Sequence, residues 1–308
     1  MRERFRSFAG RVARAALGVF HDRGYLAVRQ YLSYMKTFRR PAHILKPQRF
    51  SEFALVRRVK GPSKRLLTTK SKLETKAYAR SLPLKATLTV PTAWSGHDLS
   101  ELKSVPNLPA NWVLKPDRGG SSRGVILGRG PVTDDVIAEA GEYEQGDSWW
   151  GEQPAVEWLV EPNISESNAY PIDYKFFVFH GIVAFVEAVI RDGRGNKWFT
   201  ILDNKWNELP VIAWDSGIRR EPVPNLERPP RLAEMLADAA TLGAGFDFIR
   251  VDLYNQQGMI YLGELEANPD AQAMHQSDPD DFDLWLGYRW QSPANILSYQ
   301  AWQQRRKK

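Results

Sequence analysis

The sequence predicts an α+β chain in which strand hairpins alternate with amphipathic helices, and three stretches carry that prediction. Asp173–Val189, D-Y-K-F-F-V-F-H-G-I-V-A-F-V-E-A-V, is two β-rich runs about His180-Gly181. Phe246–Tyr254 and Met259–Glu266 form a second pair of strands, joined by Asn255-Gln256-Gln257-Gly258. Trp112–Gly128, W-V-L-K-P-D-R-G-G-S-S-R-G-V-I-L-G, sets an apolar run ending in Lys115 against a second run at Val125–Leu127, with a loop of glycine and small residues between them.

The remaining elements follow in order. Residues 1–40 alternate Arg with small and apolar residues, and Phe5, Phe8, Val12, Ala15, Ala16 and Val19 fall near one helical face, as in a basic amphipathic helix. The composition is also that of a transit peptide, but the pattern runs on into Tyr25–Phe38 without a cleavage signal. Pro41 and Pro47 break the helix, and Phe50–Val59 starts another. Thr68–Arg80 reads as a helix capped by Thr68, Thr69 or Ser71, with Lys72 and Lys76 on one face. Leu84–Val90 alternates as a strand, and Glu101–Pro109 is a connection. Thr133–Glu144 reads as helix, Gln145–Gly151 as loop, Ala155–Val160 as a strand, and Trp198–Trp206 as another that carries Asp203. Arg231–Leu242 is a helix with Leu232, Met235, Leu236 and Ala239 inward, and the tail Pro293–Lys308 is helical with a basic end.

Composition narrows the chemistry. With no cysteine among 308 residues, disulfides, thiolate zinc sites and a cysteine nucleophile are excluded. No apolar run approaches the ~20 residues of a membrane span, so the expectation is a cytoplasmic protein. Residues 1–80 carry 21 Lys and Arg against 4 Asp and Glu, whereas the rest carries 21 against 32. A basic arm therefore precedes an acidic body, and such an arm either attracts an anionic membrane surface or acidic polymer or packs as a solvated helical face. No motif for specific nucleic-acid binding is present.

Two groups of residues carry chemistry. In the loop, Gly119, Gly120 and Gly124 let the backbone approach an anion and turn N–H groups toward it; Ser121 and Ser122 add hydroxyls, and Arg118, Arg123 and Lys115 add charge. This is a phosphate flap or, in the plainer reading, a glycine-rich surface turn. In the last hairpin, strand parity sets Arg250 and Asp252 on one side, and Glu264, Glu266 and Asn268 on one side of the returning strand. Crowded carboxylates repel unless a cation lies between them, and oxygen ligands of this kind suit Mg²⁺ bridging phosphates. Ile249, Val251, Leu253, Ile260 and Leu262 would anchor the opposite face in a core.

K-P-D-R-G-G-S-S-R-G at 115–124, R-V-D-L-Y at 250–254 and G-E-L-E-A-N-P at 263–269 together resemble an ATP-grasp carboxylate–amine ligase, with a flap similar to that of D-alanine–D-alanine ligases. D-Y-K-F-F-V-F-H-G, Arg191, Asp203-Asn204-Lys205-Trp206 and I-Y-L-G-E-L more closely resemble the TupA-like branch, associated with teichuronopeptide synthesis. The likeness spans roughly residues 50–290. It implies an ATP-grasp fold of two α+β lobes clasping ATP, preceded by a basic helical region. The expected division is an arm at 1–50, an α/β region at 51–110, a small lobe at 111–156, a large lobe at 157–290 and a basic tail at 291–308.

The resemblance also implies roles. Lys72 and Lys115 would hold phosphates of ATP under a closing flap of Arg118, Gly119, Gly120, Ser121, Ser122 and Gly124. Glu157, Trp158 and Leu159 would be the hinge that reads adenine, and Glu161 would take the ribose. Asp252, with Glu264, Glu266 and Asn268, would bind Mg²⁺; Arg250 would face the phosphoryl group or tetrahedral intermediate, and Arg191 the acceptor. Two departures stand out: Ser71 replaces an aspartate common in the family, and Glu264-Leu265-Glu266 replaces E-L-T. The implied reaction joins a carboxylate to an amine through an acyl phosphate. The alternatives are an ATP-grasp kinase and a catalytically silent nucleotide-binding module recruited to an anionic surface. Substrate-shaping loops are expected at Asn163–Pro171 and Gln272–Asp283, and a homodimer fits the family habit.

Overall fold

The structure, a computed structural model, describes residues 22–120, 123–144, 155–165, 171–192, 194, 196–215, 218–269 and 281–307. Residues 1–21 of the basic arm, Ser121, Ser122, the whole 145–151 loop and parts of both expected substrate loops lie outside the described residues. In chain order the helices are α1 (Asp22–Phe38), α2 (Phe50–Lys60), α3 (Lys64–Leu67), α4 (Lys72–Arg80), α5 (Asp134–Gly141), α6 (Leu232–Gly243), α7 (Asp281–Gln291) and α8 (Tyr299–Arg306). The strands are β1 (Thr87–Thr89), β2 (Trp94–Gly96), β3 (Asn111–Pro116), β4 (Ile126–Arg129), β5 (Trp158–Pro162), β6 (Asp173–Phe179), β7 (Ile182–Arg191), β8 (Lys197–Leu202), β9 (Trp214–Asp215), β10 (Ile218–Arg219), β11 (Phe248–Gln256) and β12 (Met259–Glu266).

The two hairpins marked by the sequence pair with each other and make the larger sheet, in the order β1-β12-β11-β6-β7-β8. All its pairs are antiparallel except β1 with β12. A smaller antiparallel sheet, β2-β5-β3-β4, carries the glycine loop between β3 and β4.

Strand alternation gives the larger sheet two apolar faces, because successive side chains point to opposite sides. Phe176, Val178, Val186, Val251, Leu253, Ile260 and Leu262 pack with Met235, Ala239 and Leu242 of α6. Phe177, Phe179, Phe185 and Phe248 pack on the other side, with Phe50 and Ala54 of α2 and with Phe282, Trp285, Leu286 and Trp290 of α7. Ring contacts are dense there: Phe50 lies 4.9 Å from Phe248, and Phe248 lies 4.7 Å from Trp290, centroid to centroid. Each such pair contributes roughly 0.5–1.5 kcal/mol beyond its area burial.

α7 is the element that sequence pattern did not resolve; the helical tail expected at Pro293–Lys308 is the shorter α8. Gly287 is why α7 can lie so close to the chain before α2, since a Cβ there would collide with the Gln48 carbonyl. Other boundaries shift for local reasons. Thr68–Lys70 is a separate 3₁₀ turn, and α4 begins only after Ser71, whose Oγ accepts from Glu74 N at 3.0 Å. β8 stops at Leu202 because Asp203 accepts from the backbone N of Lys205 and Asn207, both at 2.8 Å, and turns the chain. The last hairpin turns on Gln257-Gly258 alone, both at positive φ.

α6 fastens the entry to the larger sheet. Asp238 is fully buried and accepts from the backbone N of Lys85 (2.7 Å), Ala86 (2.9 Å) and Thr87 (2.7 Å). Asp238→Ala strands these three donors, so we expect a loss of about 3 kcal/mol or more in stability. Urea unfolding should show it as a lower midpoint at unchanged slope.

Candidate active site

The small-sheet side of the site is assembled by a residue that carries no charge to the ligand. Asp117, buried just after β3, accepts from Leu73 N at 2.9 Å and donates its own N–H to Glu157 O at 2.7 Å. It thereby caps α4 together with Ser71, fixes the start of the glycine loop, and holds the entry to β5.

Lys72 Nζ donates to the carbonyls of Pro116 (2.8 Å) and Asp117 (3.1 Å), so it braces the base of the loop. Burial, then the neighbouring Lys115, pushes its pKa down to about 8. Lys115 pairs with Glu161 Oε2 at 2.6 Å, and Lys76 pairs with the other oxygen of the same carboxylate while donating to Thr92 Oγ1 at 2.7 Å. Lys76 and Lys72 are thus both helix lysines near Lys115, and Glu161 is engaged as the shared counter-ion of Lys76 and Lys115. In β5, Trp158 and Leu159, expected to read adenine, bury their side chains, and Trp158 meets the Tyr143 ring edge-on at 5.5 Å.

The loop glycines differ in what they permit. Gly124 sits at φ +70°, and a Cβ there would lie 2.6 Å from the Tyr143 ring; Gly120 has open space around it. The first is held by packing, and the second leaves the backbone free to approach a ligand. Arg118 reaches back to Glu74 at 3.4 Å.

Across the cleft, register lines up Glu264, Asp252, Lys175 and Glu187 on four adjacent strands. Arg250 donates from Nε to Asp252 Oδ1 (2.7 Å) and from Nη2 to Asp252 Oδ2 (2.6 Å) and Glu264 Oε1 (2.9 Å). Lys175 Nζ lies 2.7 Å from Asp252 Oδ2. Burial opposes the charged form of Asp252, yet Arg250 and Lys175 outweigh it and hold the carboxyl down at about 2. Burial and the nearby Asp252 push Glu264 up, and burial takes Glu187 to about 7 against the pull of Lys175 and Arg250. Arg250 stays well above its ordinary value because Asp252 and Glu264 overcome its burial.

The row continues to Asp173, whose Oδ2 receives Lys175 (2.6 Å) and Arg191 (3.2 Å). Among the described residues its Oδ1 is buried without a hydrogen-bond donor. Lys175 was not among the residues expected from the motifs: D-Y-K reads as plain strand until β6 is set beside β11. Asn268, expected among the metal ligands, is engaged with other partners: its side-chain oxygen, in the orientation its neighbours require, accepts from Arg58, and its backbone N–H donates to Glu266 Oε1 at 2.7 Å.

Thr69, Lys70, Lys72, Thr75 and Gly119 face Gly263, Glu264, Leu265 and Glu266 around a cavity of about 30 Å³. That space takes a water or two, so entry of a triphosphate requires the two sides to part. Lys70 is a second cation that sequence reasoning passed over. Among the described residues no three carboxylates or histidines are grouped as metal ligands. Mg²⁺ asks less than that, since one or two carboxylates plus phosphate oxygens suffice, and Asp252 with Glu264, which share the Arg250 guanidinium, fits it.

The depressed pKa of Lys72 sets a pH dependence. Lys72 carries its charge below about pH 8 and loses it above. Affinity for an anionic ligand in the cleft should therefore fall as pH rises through about 8. Calorimetric titration with an ATP analogue should show that step in the wild type and lose it in Lys72→Arg, which stays charged throughout.

The model of the TupA-like ATP-grasp family matches residues 56–291. No curated protein matches the chain. Among solved structures, the D-alanine–D-alanine ligase of Helicobacter pylori is similar at 19% identity and TM-score 0.47, over 79% of this chain and 69% of the ligase. The D-cycloserine synthetase DcsG is similar at 14% identity and TM-score 0.46, over 78% of this chain and 79% of the synthetase. The D-alanine–D-alanine ligase of Bacillus anthracis is similar at 18% identity and TM-score 0.43, over 78% and 69%. With the family model covering most of its length, both sheets included, the chain belongs to the TupA-like ATP-grasp family.

Proposed function

We propose that the protein joins a carboxylate to an amine at the expense of ATP, releasing ADP and phosphate. The observation that carries this reading is the Arg250–Asp252–Lys175–Glu264 array, whose Glu264 faces Lys72 and Gly119 of the glycine loop across one cleft, with Lys115 near Lys72. A carboxylate oxygen of the substrate attacks the γ-phosphorus, the bond to ADP breaks, and an acyl phosphate forms. The amine lone pair then attacks the acyl carbon, the amine loses a proton, and phosphate departs with the C–O electron pair. Lys115 and Lys76 exchange Glu161 for phosphate oxygens, and the loop backbone covers them. Arg250 opposes charge on the transferred group and on the tetrahedral oxyanion. Asp252, Glu264 and Glu266 would hold Mg²⁺, which supplies charge neutralisation when bound. Closure keeps water from the acyl phosphate.

The amine has a natural place at Asp173 Oδ1, the buried acceptor that lacks a donor. An ammonium or amine N–H satisfies it. Family membership favours an acidic cell-surface polymer or peptide as the setting, and Arg191, part-exposed beside Asp173, suits an acceptor that also bears a carboxylate.

The test is turnover of Mg-ATP with pooled amino acids and uronic acids, with hydroxylamine to trap acyl phosphate. ADP together with hydroxamate is expected, reduced by roughly 10²-fold or more in Asp252→Asn. ADP formed only with a hydroxyl acceptor, and without hydroxamate, would instead identify a kinase; nucleotide binding without turnover would identify a binding module. Asp173→Asn should keep hydroxamate formation and raise the KM for the amine by about tenfold or more. Loss of hydroxamate in that variant would remove Asp173 from amine binding.

A further inference from the structure

Helix α1 and the segment after it have no part in the chemistry above, yet they carry an unusual surface. One side of α1 is packed: Tyr34 is buried and stacks on Phe38 at 3.9 Å. The other side presents Val28, Leu32 and Met35, spaced i, i+4 and i+7, at 44%, 59% and 40% exposure, followed by Leu45 at 96%. Large apolar side chains are not left in such a row without a partner. The exposed charge beside the row is of one sign: residues 23–51 hold no Asp or Glu, Lys36, Arg39 and Lys46 are exposed, and the acids that meet this segment, Glu52 and Asp283, are buried, Asp283 facing Arg40 and Arg49.

We infer that this face seats the protein on an anionic lipid bilayer. Three kinds of partner meet a basic surface, and the apolar row separates them. A nucleic acid uses the charge and has no use for exposed leucine; an apolar protein groove takes the row and does not call for an acid-free surround. The interface of an anionic membrane takes both, with Val28, Leu32, Met35 and Leu45 below the headgroups and the basic side chains among the phosphates. Among the described residues no helix is long and apolar enough to cross a membrane, so the contact is a docking in the interfacial plane. The Arg-rich residues 1–21 precede the same helix and extend its charge.

The experiment is co-sedimentation of the full chain with vesicles of equal parts phosphatidylglycerol and phosphatidylcholine, and with vesicles of phosphatidylcholine alone. Binding to the anionic vesicles only is expected, weakened by raised salt and by about tenfold or more in the double variant Leu32→Ser, Leu45→Ser. Both residues are exposed, so the variant should keep the wild-type circular dichroism and melting temperature. Absence of binding, or binding unchanged in the double variant, would overturn the proposal. So would tighter binding to duplex DNA or RNA than to the vesicles, or a dimer in solution that the same substitutions dissociate.

Discussion

Asp252 is 2% exposed and ionised, and the rest of the site is arranged around that fact. A lone carboxylate in such a place would take up a proton instead of bearing the cost of burial. It stays charged because β11 supplies Arg250 two residues away on the same face, while β6, paired alongside, supplies Lys175. The pairing of the two hairpins is therefore an electrostatic requirement as well as an apolar one. Were β6 to slip by one residue, Tyr174 or Phe176 would stand beside Asp252.

The same face of the sheet is divided along its length. At one end Phe177, Phe179, Phe185 and Phe248 lie under α2 and α7; at the other, the charged row meets the cleft. The aromatic end fixes the strands in place with many ring contacts, which lets the charged end hold four ionisable groups in register. Polar networks in low dielectric are strong when satisfied and costly when not. Here both Asp252 oxygens, Glu264 Oε1 and Asp173 Oδ2 find a cation, whereas Asp173 Oδ1 is buried without a donor among the described residues.

Much of this was legible in the sequence, for reasons that can be named. Both hairpins show because β-branched and aromatic residues alternate across short turns, and the opposed cores at Phe176 and Phe177 follow from parity. Asp252, Arg250, Lys115 and the glycine loop show because their spacing within one element determines their side. Lys175 did not show, since its role depends on which strand lies next to β6. Lys76 was seen only as the neighbour of Lys72 on a helix face, because the carboxylate that joins it to Lys115 comes from β5. Helix α7 was missed: Phe282, Trp285, Leu286 and Trp290 are helically spaced, but they follow a polar stretch that reads as loop. Asn268 shared strand parity with Glu266, and the parity ended with the strand.

Asp117 has a wider consequence. Its side chain holds the first turn of α4, and its backbone holds both the glycine loop and the approach to β5. The loop is thus not a transplantable cassette. Moving residues 115–124 into another scaffold would leave behind the helix end and the strand that give the loop its shape, and a chimera would have to exchange all three segments together.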